Sequence, residues 1–303
     1  MNNQMWYQSE KYWWNEFSEP MLEQWTLSPV QNFIVRRQFK QGLLDFLYKS
    51  KGCLLDIGCG AGELSVEFAS HSMNVVGVDL SGSQITAAKR RAVDASCNEL
   101  LELYECNFLE WEFHSNWEHK FDSICCSAFL HHLPKEDIVK IFAKIDFLLK
   151  PGGKLFLYEP VYNPSKTKGA KFLKFIDFCV QKLMVLFLVK LPGLLKLRRE
   201  KYELLSSRGY TGCSPMERPL DISILNNCLQ EGYSTDVRGQ HLYSLQFAMN
   251  SVELKGYYRR FLYLPLVVLR GVELFVLAGK GWWQLTNERR FTMVSIGATK
   301  NEN

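Results

Sequence analysis

The 303-residue sequence has no Cys-x-x-Cys pair, no internal repeat and no low-complexity tract. Its nine cysteines follow no regular spacing, and two, Cys125 and Cys126, are adjacent. A disulfide framework and a zinc ribbon are therefore excluded, and no metal site is expected. Proline is sparse at 10 residues, which rules out a Pro-rich spacer. The opening Met1-Asn-Asn-Gln-Met-Trp-Tyr7 lacks a basic start followed by an apolar run, so no secretory signal is expected and a reducing, cytoplasmic setting is. Hydrophobic residues at 47% and charged residues at 22% exclude wholesale disorder.

What is present is unevenly spread. Residues 161–215 hold 11 Lys and Arg against 3 Asp and Glu, and residues 251–290 hold 7 against 3. The remaining residues hold 18 against 26, so two basic segments interrupt an acidic body. Both segments are also rich in Leu, Phe and Val, as in Leu183-Met-Val-Leu-Phe-Leu-Val189. Basic charge joined to apolar bulk points to an anionic membrane surface before nucleic acid, whose binders expose stacking aromatics along a basic groove. Proline and charge break both runs below the roughly 20 apolar residues that a membrane span needs.

Short apolar runs alternate with helical periodicity from residue 51 to residue 160. Strands are expected at Cys53–Ile57, Asn74–Asp79, Leu101–Cys106, Phe121–Ser127 and Lys154–Tyr158, with helices at Gly60–Ser70, Ser83–Ser96 and Lys135–Leu149. The same pattern resumes with a helix at Asp221–Glu231 and strands at Ser234–Leu242 and Phe291–Ala298. Strands alternating with helices of ten or more residues imply a doubly wound, mostly parallel α/β sheet. The expected organisation is an N-terminal helical lid at 1–50, a binding core at 51–160 and a basic apolar insertion at 161–215. A core helix and strand follow at 216–243, then a second apolar insertion at 244–288 and a final core strand at 289–303. Residues 1–50 read as short helices.

The chemistry concentrates in Leu54-Leu-Asp-Ile-Gly-Cys-Gly-Ala-Gly62, where a strand runs into glycines and then a helix. Such a loop lets a ligand approach the main chain, but dinucleotide enzymes use similar ones. Asp56, two residues before the first glycine, would repel a pyrophosphate and suits an ammonium group. Asp79, ending the second strand, is placed to accept hydrogen bonds from ribose hydroxyls.

Four motifs in register then resemble the class I S-adenosylmethionine-dependent methyltransferases, in the branch that includes the ubiquinone and menaquinone enzymes. They are Leu54–Gly62, Val75-Val-Gly-Val-Asp-Leu80, Phe121-Asp-Ser-Ile with Leu130-His-His-Leu-Pro134, and Leu148-Leu-Lys-Pro-Gly-Gly-Lys154. The resemblance covers about 45–160 and the closing strands. It implies a Rossmann-like sheet of seven strands with a helical cap from the two insertions, and S-adenosyl-L-methionine as cofactor. Carried over by position, Asp56, Gly58, Cys59, Gly60 and Gly62 would line the methionine moiety. Asp79 would bind the ribose and Leu80 would flank the adenine. Asn107, standing where the family usually has an acid, and Phe108 would meet the adenine, and Ser127 would lie near the sulfonium. Cys59 also reads as a loop filler and Phe108 as core packing.

A phenol or enol acceptor needs a base. His131 and His132 follow the fourth strand, and histidine titrates near neutrality, so each is a candidate base or else shapes the entrance to the next helix. Glu159, at the end of the fifth strand, is a third candidate, to orient an acceptor or to serve as base. Tyr7, Tyr12, Trp13 and Trp14 form a lid or pack their helix on the domain. The loop Gly212-Cys-Ser-Pro-Met-Glu-Arg-Pro219 offers Glu217 or Arg218 to the acceptor. The insertions read as membrane-interface helices with the chain peripheral to the inner face, as a soluble cap over an apolar pocket, or as a homodimer interface. In the first two cases the acceptor is a hydrophobic small molecule or lipid, with no nucleic acid as partner. The rival readings are a non-catalytic cofactor-binding regulatory subunit and an NAD(P)-dependent oxidoreductase.

Overall fold

The computed structural model describes residues 3–25, 43, 46, 52–112, 117–163, 214–242 and 292–302. A helix, α1 (Asn3–Trp25), comes first. Strand β1 (Cys53–Ile57), helix α2 (Glu63–Ser70), β2 (Asn74–Asp79), α3 (Gly82–Asp94) and β3 (Leu101–Glu105) follow. Then come β4 (Phe121–Ser127), α4 (Lys135–Leu148), β5 (Leu149–Tyr162), the two-residue β6 (Leu220–Asp221), α5 (Ile222–Leu229), β7 (Tyr233–Leu242) and β8 (Thr292–Lys300).

The strands form one sheet in the order β3-β2-β1-β4-β5-β8-β7, with β6 beside the end of β5. Pairing is parallel from β3 through β5 and antiparallel where β8 joins β5 and β7. The expected seven strands are thus present with a short eighth. The chain steps outward one way from β1 through β2 to β3, and the other way from β4 to β5. The order therefore reverses between β1 and β4, where open α/β sheets bind ligands beyond the strands' carboxyl ends.

The core explains the near-continuous apolar strands. Leu54, Val75, Cys125 and Phe156 pack on one face with Phe68 of α2 and Ala92 of α3. Leu55, Val76, Ile124 and Leu157 pack on the other with Ile138, Ile141 and Ile145 of α4 and Leu225 of α5. Alternate residues point to opposite faces, so a parallel strand covered by helices on both sides must be apolar at every position. Ser81 caps α3 by accepting from the Gln84 N–H at 3.3 Å, and Asp221 caps α5 through the Ser223 N–H at 2.9 Å.

Three expectations need correction. Residues 3–25 form one 23-residue helix, not short pieces. Helix α4 stops at Leu148 and the Lys150-Pro-Gly-Gly153 stretch lies inside β5, because Leu149 already pairs with Phe121 and a register shift absorbs the turn residues. Strand β5 also continues to Tyr162, past the boundary at 160, because Val161 and Tyr162 pair with β6. Most of both insertions, at 164–213 and 243–291, lies outside the described residues. Among the described residues, no helix is long and apolar enough to cross a membrane.

Candidate functional site

The glycine loop begins where β1 ends. Gly58, Gly60 and Gly62 all have positive φ, at 71°, 53° and 72°, a region L side chains enter only at a cost. Space separates them further. A Cβ on Gly58 would sit 2.6 Å from the Phe129 ring, and one on Gly62 2.7 Å from the Ala88 Cβ. A Cβ on Gly60 would meet only Gln84 Oε1, at 3.8 Å. Gly58 and Gly62 are thus required by both backbone and space, whereas Gly60 is required by its backbone alone and leaves room beside it. Gly62→Ala is expected to cost about 2–4 kcal/mol in urea unfolding, from left-handed strain plus overpacking. Gly60→Ala should cost less stability and lose more cofactor affinity, read by calorimetry on the same pair of variants.

The loop is not built for phosphate. Gly58 N–H and Cys59 N–H both donate to the Val78 carbonyl, at 2.8 and 3.0 Å, and Gly62 N–H donates to the Cys59 carbonyl. Gly60 N–H donates to Asp79 Oδ2 at 2.9 Å, and Ser81 N–H to Asp79 Oδ1 at 2.8 Å. Four of the loop's donors are thus used within the protein, and two carboxylates sit beside them, which disfavours the dinucleotide reading. Asp79 is half-buried, so its carboxylate can be reached by a ligand as well as by these N–H groups. Burial raises its pKa against the pull of the Ser81 and Gly60 N–H groups.

Asp56 lies deeper than the sequence suggests. It is 2% exposed, and its Oδ2 accepts from the Ser65 hydroxyl at 2.5 Å. Its carboxyl lies beneath the loop. Burial, and then the nearby Asp79 charge, push its pKa up to about 6 despite the Ser65 hydrogen bond. With a folded pKa above the unfolded one, ionising Asp56 opposes folding as pH rises through about 6, whereas a bound cation favours the ionised form. Affinity for S-adenosylmethionine should therefore be level above neutrality and fall as pH drops through about 6, by up to about tenfold per unit for one linked proton. Calorimetry across that range checks it.

Other expected contacts divide. Cys59 packs its sulfur over Gly77 and is buried, with burial and the Asp79 charge holding the thiol protonated. That burial fits the loop-filler reading. Phe108 is turned into the core beside Trp111. Asn107 Oδ1 accepts the Leu109 N–H at 3.1 Å, closing a local turn. Lys144 of α4 clamps that turn by donating to the carbonyls of Phe108, Leu109 and Trp111. Leu80 follows Asp79, half-buried. Ser127, also half-buried, ends β4 opposite Tyr158, and Ala128 turns away with φ 55°.

The strongest constellation lies just after β4. Glu159, 1% exposed, accepts from the Phe129 and Leu130 N–H groups at 2.9 and 2.8 Å and from His131 N–H at 3.4 Å. Its Oε2 also meets His131 Nδ1 at 2.7 Å. With four donors its lone pairs are taken, so Glu159 orients the ring and His131 Nε2 is left for chemistry. His132 lies tilted against His131 with ring centroids 4.0 Å apart and planes at 43°, and its Nδ1 meets Ser214 Oγ at 2.9 Å and Glu10 Oε2 at 3.1 Å.

Sequence reasoning missed Glu10, Ser214 and Gln84. Glu10 stood unremarked among the aromatics of α1, and Ser214 inside a loop singled out for Glu217 and Arg218. Arg218 lies over the Trp6 ring at 4.6 Å. Of the four proposed lid aromatics, Tyr7 donates to Asp137 at 2.7 Å, Trp13 is buried and Trp14 lies edge-on to His132, whereas Tyr12 is 65% exposed and points away.

The residues present fit S-adenosylmethionine. Gln84 Oε1 is a buried acceptor with no partner among the described residues, and it borders the open space at Gly60. Asp79 offers ribose hydroxyls a half-buried charged acceptor beside that space.

Comparison with known proteins agrees. A methyltransferase-domain family model matches residues 54–153. The ubiquinone biosynthesis O-methyltransferase of Coxiella burnetii is 34% identical over 144 residues, covering 48% of this chain and 55% of the relative. The chain thus spans about half the length of that relative. Among solved structures, a Haemonchus contortus phosphoethanolamine N-methyltransferase 2 aligns with TM-score 0.50 at 19% identity, over 86% of this chain and 52% of that one. The [4+2]-cyclase SpnF aligns with TM-score 0.51 at 14% identity, over 88% and 82%. These two share the fold, and their differing names show that the fold alone does not choose the reaction. Sheet order, glycine loop, paired acids and the family match over residues 54–153 together support a class I S-adenosylmethionine-dependent methyltransferase domain in that part of the chain.

Proposed function

We propose that the chain transfers a methyl group to an oxygen or carbon atom of a hydrophobic acceptor, while peripheral to the cytoplasmic face of an anionic membrane. The observation that carries this reading is the buried Glu159–His131 pair on the same sheet edge as the glycine loop and Asp79. S-adenosylmethionine, when bound, supplies a methyl group already activated on a positively charged sulfur. What the protein adds is alignment, exclusion of water and a base. His131, its Nδ1–H held by Glu159, takes the acceptor's hydroxyl or enol proton at Nε2. Helix α1 excludes water by covering the turns that follow β2, β3 and β4. The lipid-like acceptor is supported by the basic, apolar composition of 161–215 and 251–290 and by the relative named for ubiquinone biosynthesis.

The test offers 4-nonylphenol with S-adenosylmethionine in anionic vesicles, in neutral vesicles and in detergent micelles, and follows S-adenosylhomocysteine release. Release that depends on the phenol and is fastest on anionic vesicles is expected. Release equally fast in all three media removes the membrane from the proposal. No phenol-dependent release from any of them, with the cofactor bound, contradicts the acceptor class.

A further inference from the structure

Helix α1 is fastened to the segments that follow β2 and β4 and to the end of β3. Asn15 Oδ1 accepts from Ser81 Oγ at 2.7 Å and from the Ser83 N–H at 3.3 Å, just beyond β2. Lys11 pairs with Glu105, the last residue of β3, at 2.7 Å. Beyond β4, Trp6 Nε1 donates to the His132 carbonyl at 2.7 Å, and Tyr7 and Asn3 both donate to Asp137. Apolar and hydrogen-bonding contacts such as these suffice to dock a helix.

Glu10 does something that docking does not need. Its side chain is 4% exposed and meets His132 Nδ1 at 3.1 Å. The carboxylate also accepts the Met216 N–H and the Trp14 Nε1–H, each at 3.1 Å. Burying a carboxylate–imidazole pair is weak support for stability, since desolvation offsets the attraction. Two imidazoles therefore stand side by side at one edge, tilted against each other, each with a carboxylate on Nδ1, Glu159 from the sheet and Glu10 from the lid.

We propose that Glu10 is a positioning residue for methyl transfer, acting through His132, so that the site is complete only when α1 is docked. The proposal rests on the methyl-transfer reading above. His131 receives the acceptor's proton. His132, its Nδ1–H held by Glu10 and Ser214, keeps Nε2–H as a donor to the acceptor oxygen as negative charge develops there. Separate environments thus split two neighbouring histidines into a base and a donor. A chain whose lid is open has the base and lacks the donor, which couples acceptor enclosure to chemistry.

The charges facing His132 come from four directions: Glu10 on α1, Glu217 in the loop before β6, Glu159 on β5 and Asp79 at the end of β2, with His131 on its own turn. Burial pulls the His132 pKa down, but the Glu10 hydrogen bond and charge, then Glu217 and Glu159, leave it raised. Burial pushes Glu10 up, and His132, Ser214 and the Met216 N–H more than reverse it. The pair's contribution is therefore full below the ordinary histidine value and above the ordinary glutamate value. It is lost as pH rises through the raised His132 value or falls through the lowered Glu10 value.

The experiment compares the wild-type chain with Glu10→Gln and Glu10→Asp. Methylation of 4-nonylphenol across pH is measured together with the His132 imidazole titration by NMR in the S-adenosylhomocysteine complex. In E10Q, kcat should fall at least about tenfold with the cofactor KM within about twofold, as expected for an interaction made only in the transition state. Its alkaline limb should move to lower pH along with the His132 titration, and Glu10→Asp should restore part of both. A wild-type chain that transfers no methyl group to the phenol sinks the acceptor reading on which the proposal rests. An active wild type whose E10Q variant keeps its turnover and pH profile sinks the role of Glu10 alone. If E10Q does not fold, wild-type His132 titrating below the ordinary histidine value overturns the proposal by itself.

Discussion

Replacing His131 by alanine is expected to lower turnover by roughly 10²–10⁴ while leaving cofactor affinity intact, the usual scale for a removed general base. The selectivity follows from the geometry. The His131 ring hangs from the turn after β4 and meets Glu159 at 2.7 Å, and the contacts around Gly60 and Asp79 do not involve it. Glu159→Gln should behave differently. It keeps one acceptor oxygen for the Phe129, Leu130 and His131 N–H groups and gains a donor that faces other donors. About 1–3 kcal/mol of stability should go with the turnover, the cost of leaving buried donors unpaired. Turnover and urea unfolding on both variants separate a base from the residue that orients it. H131A with normal turnover leaves His131 only a structural part in the turn.

Asp79→Ala is expected to weaken S-adenosylhomocysteine binding by about 2–3 kcal/mol, roughly 30- to 150-fold. Two losses combine. The ribose loses a charged acceptor, and the Gly60 and Ser81 N–H groups lose the oxygens that hold them at 2.9 and 2.8 Å. The loop then has to find its shape without its clasp. Calorimetry reads the affinity, and an unchanged value contradicts the assignment of Asp79 to the ribose.

The core was legible because its signals are local. Cys53–Ile57 and Asn74–Asp79 are buried on both faces, so apolar runs mark them residue by residue. The same holds for Asp79 and the glycines, whose spacing places them at one strand end. Asp56 was legible as an acid and not as a buried one, since its depth depends on Ser65 and on neighbours far along the chain. Cys59 and Phe108 face inward for reasons of packing that a motif does not encode. The 23-residue α1 was hidden because its polar and aromatic residues lack a clean apolar stripe, and its docking partners lie in other segments. Glu10 and Ser214 were invisible for the same reason: residues 10, 132 and 214 meet only once the sheet has brought three segments to one edge.

The most direct test of the account is a crystal structure of the chain grown with S-adenosylhomocysteine. Density for the nucleoside across the edge of β1 and β2 is expected, with both ribose hydroxyls on the Asp79 carboxylate and the ligand's chain lying against Gly60. A crevice that stays empty at saturating ligand, or a ligand seated away from Asp79, would contradict it.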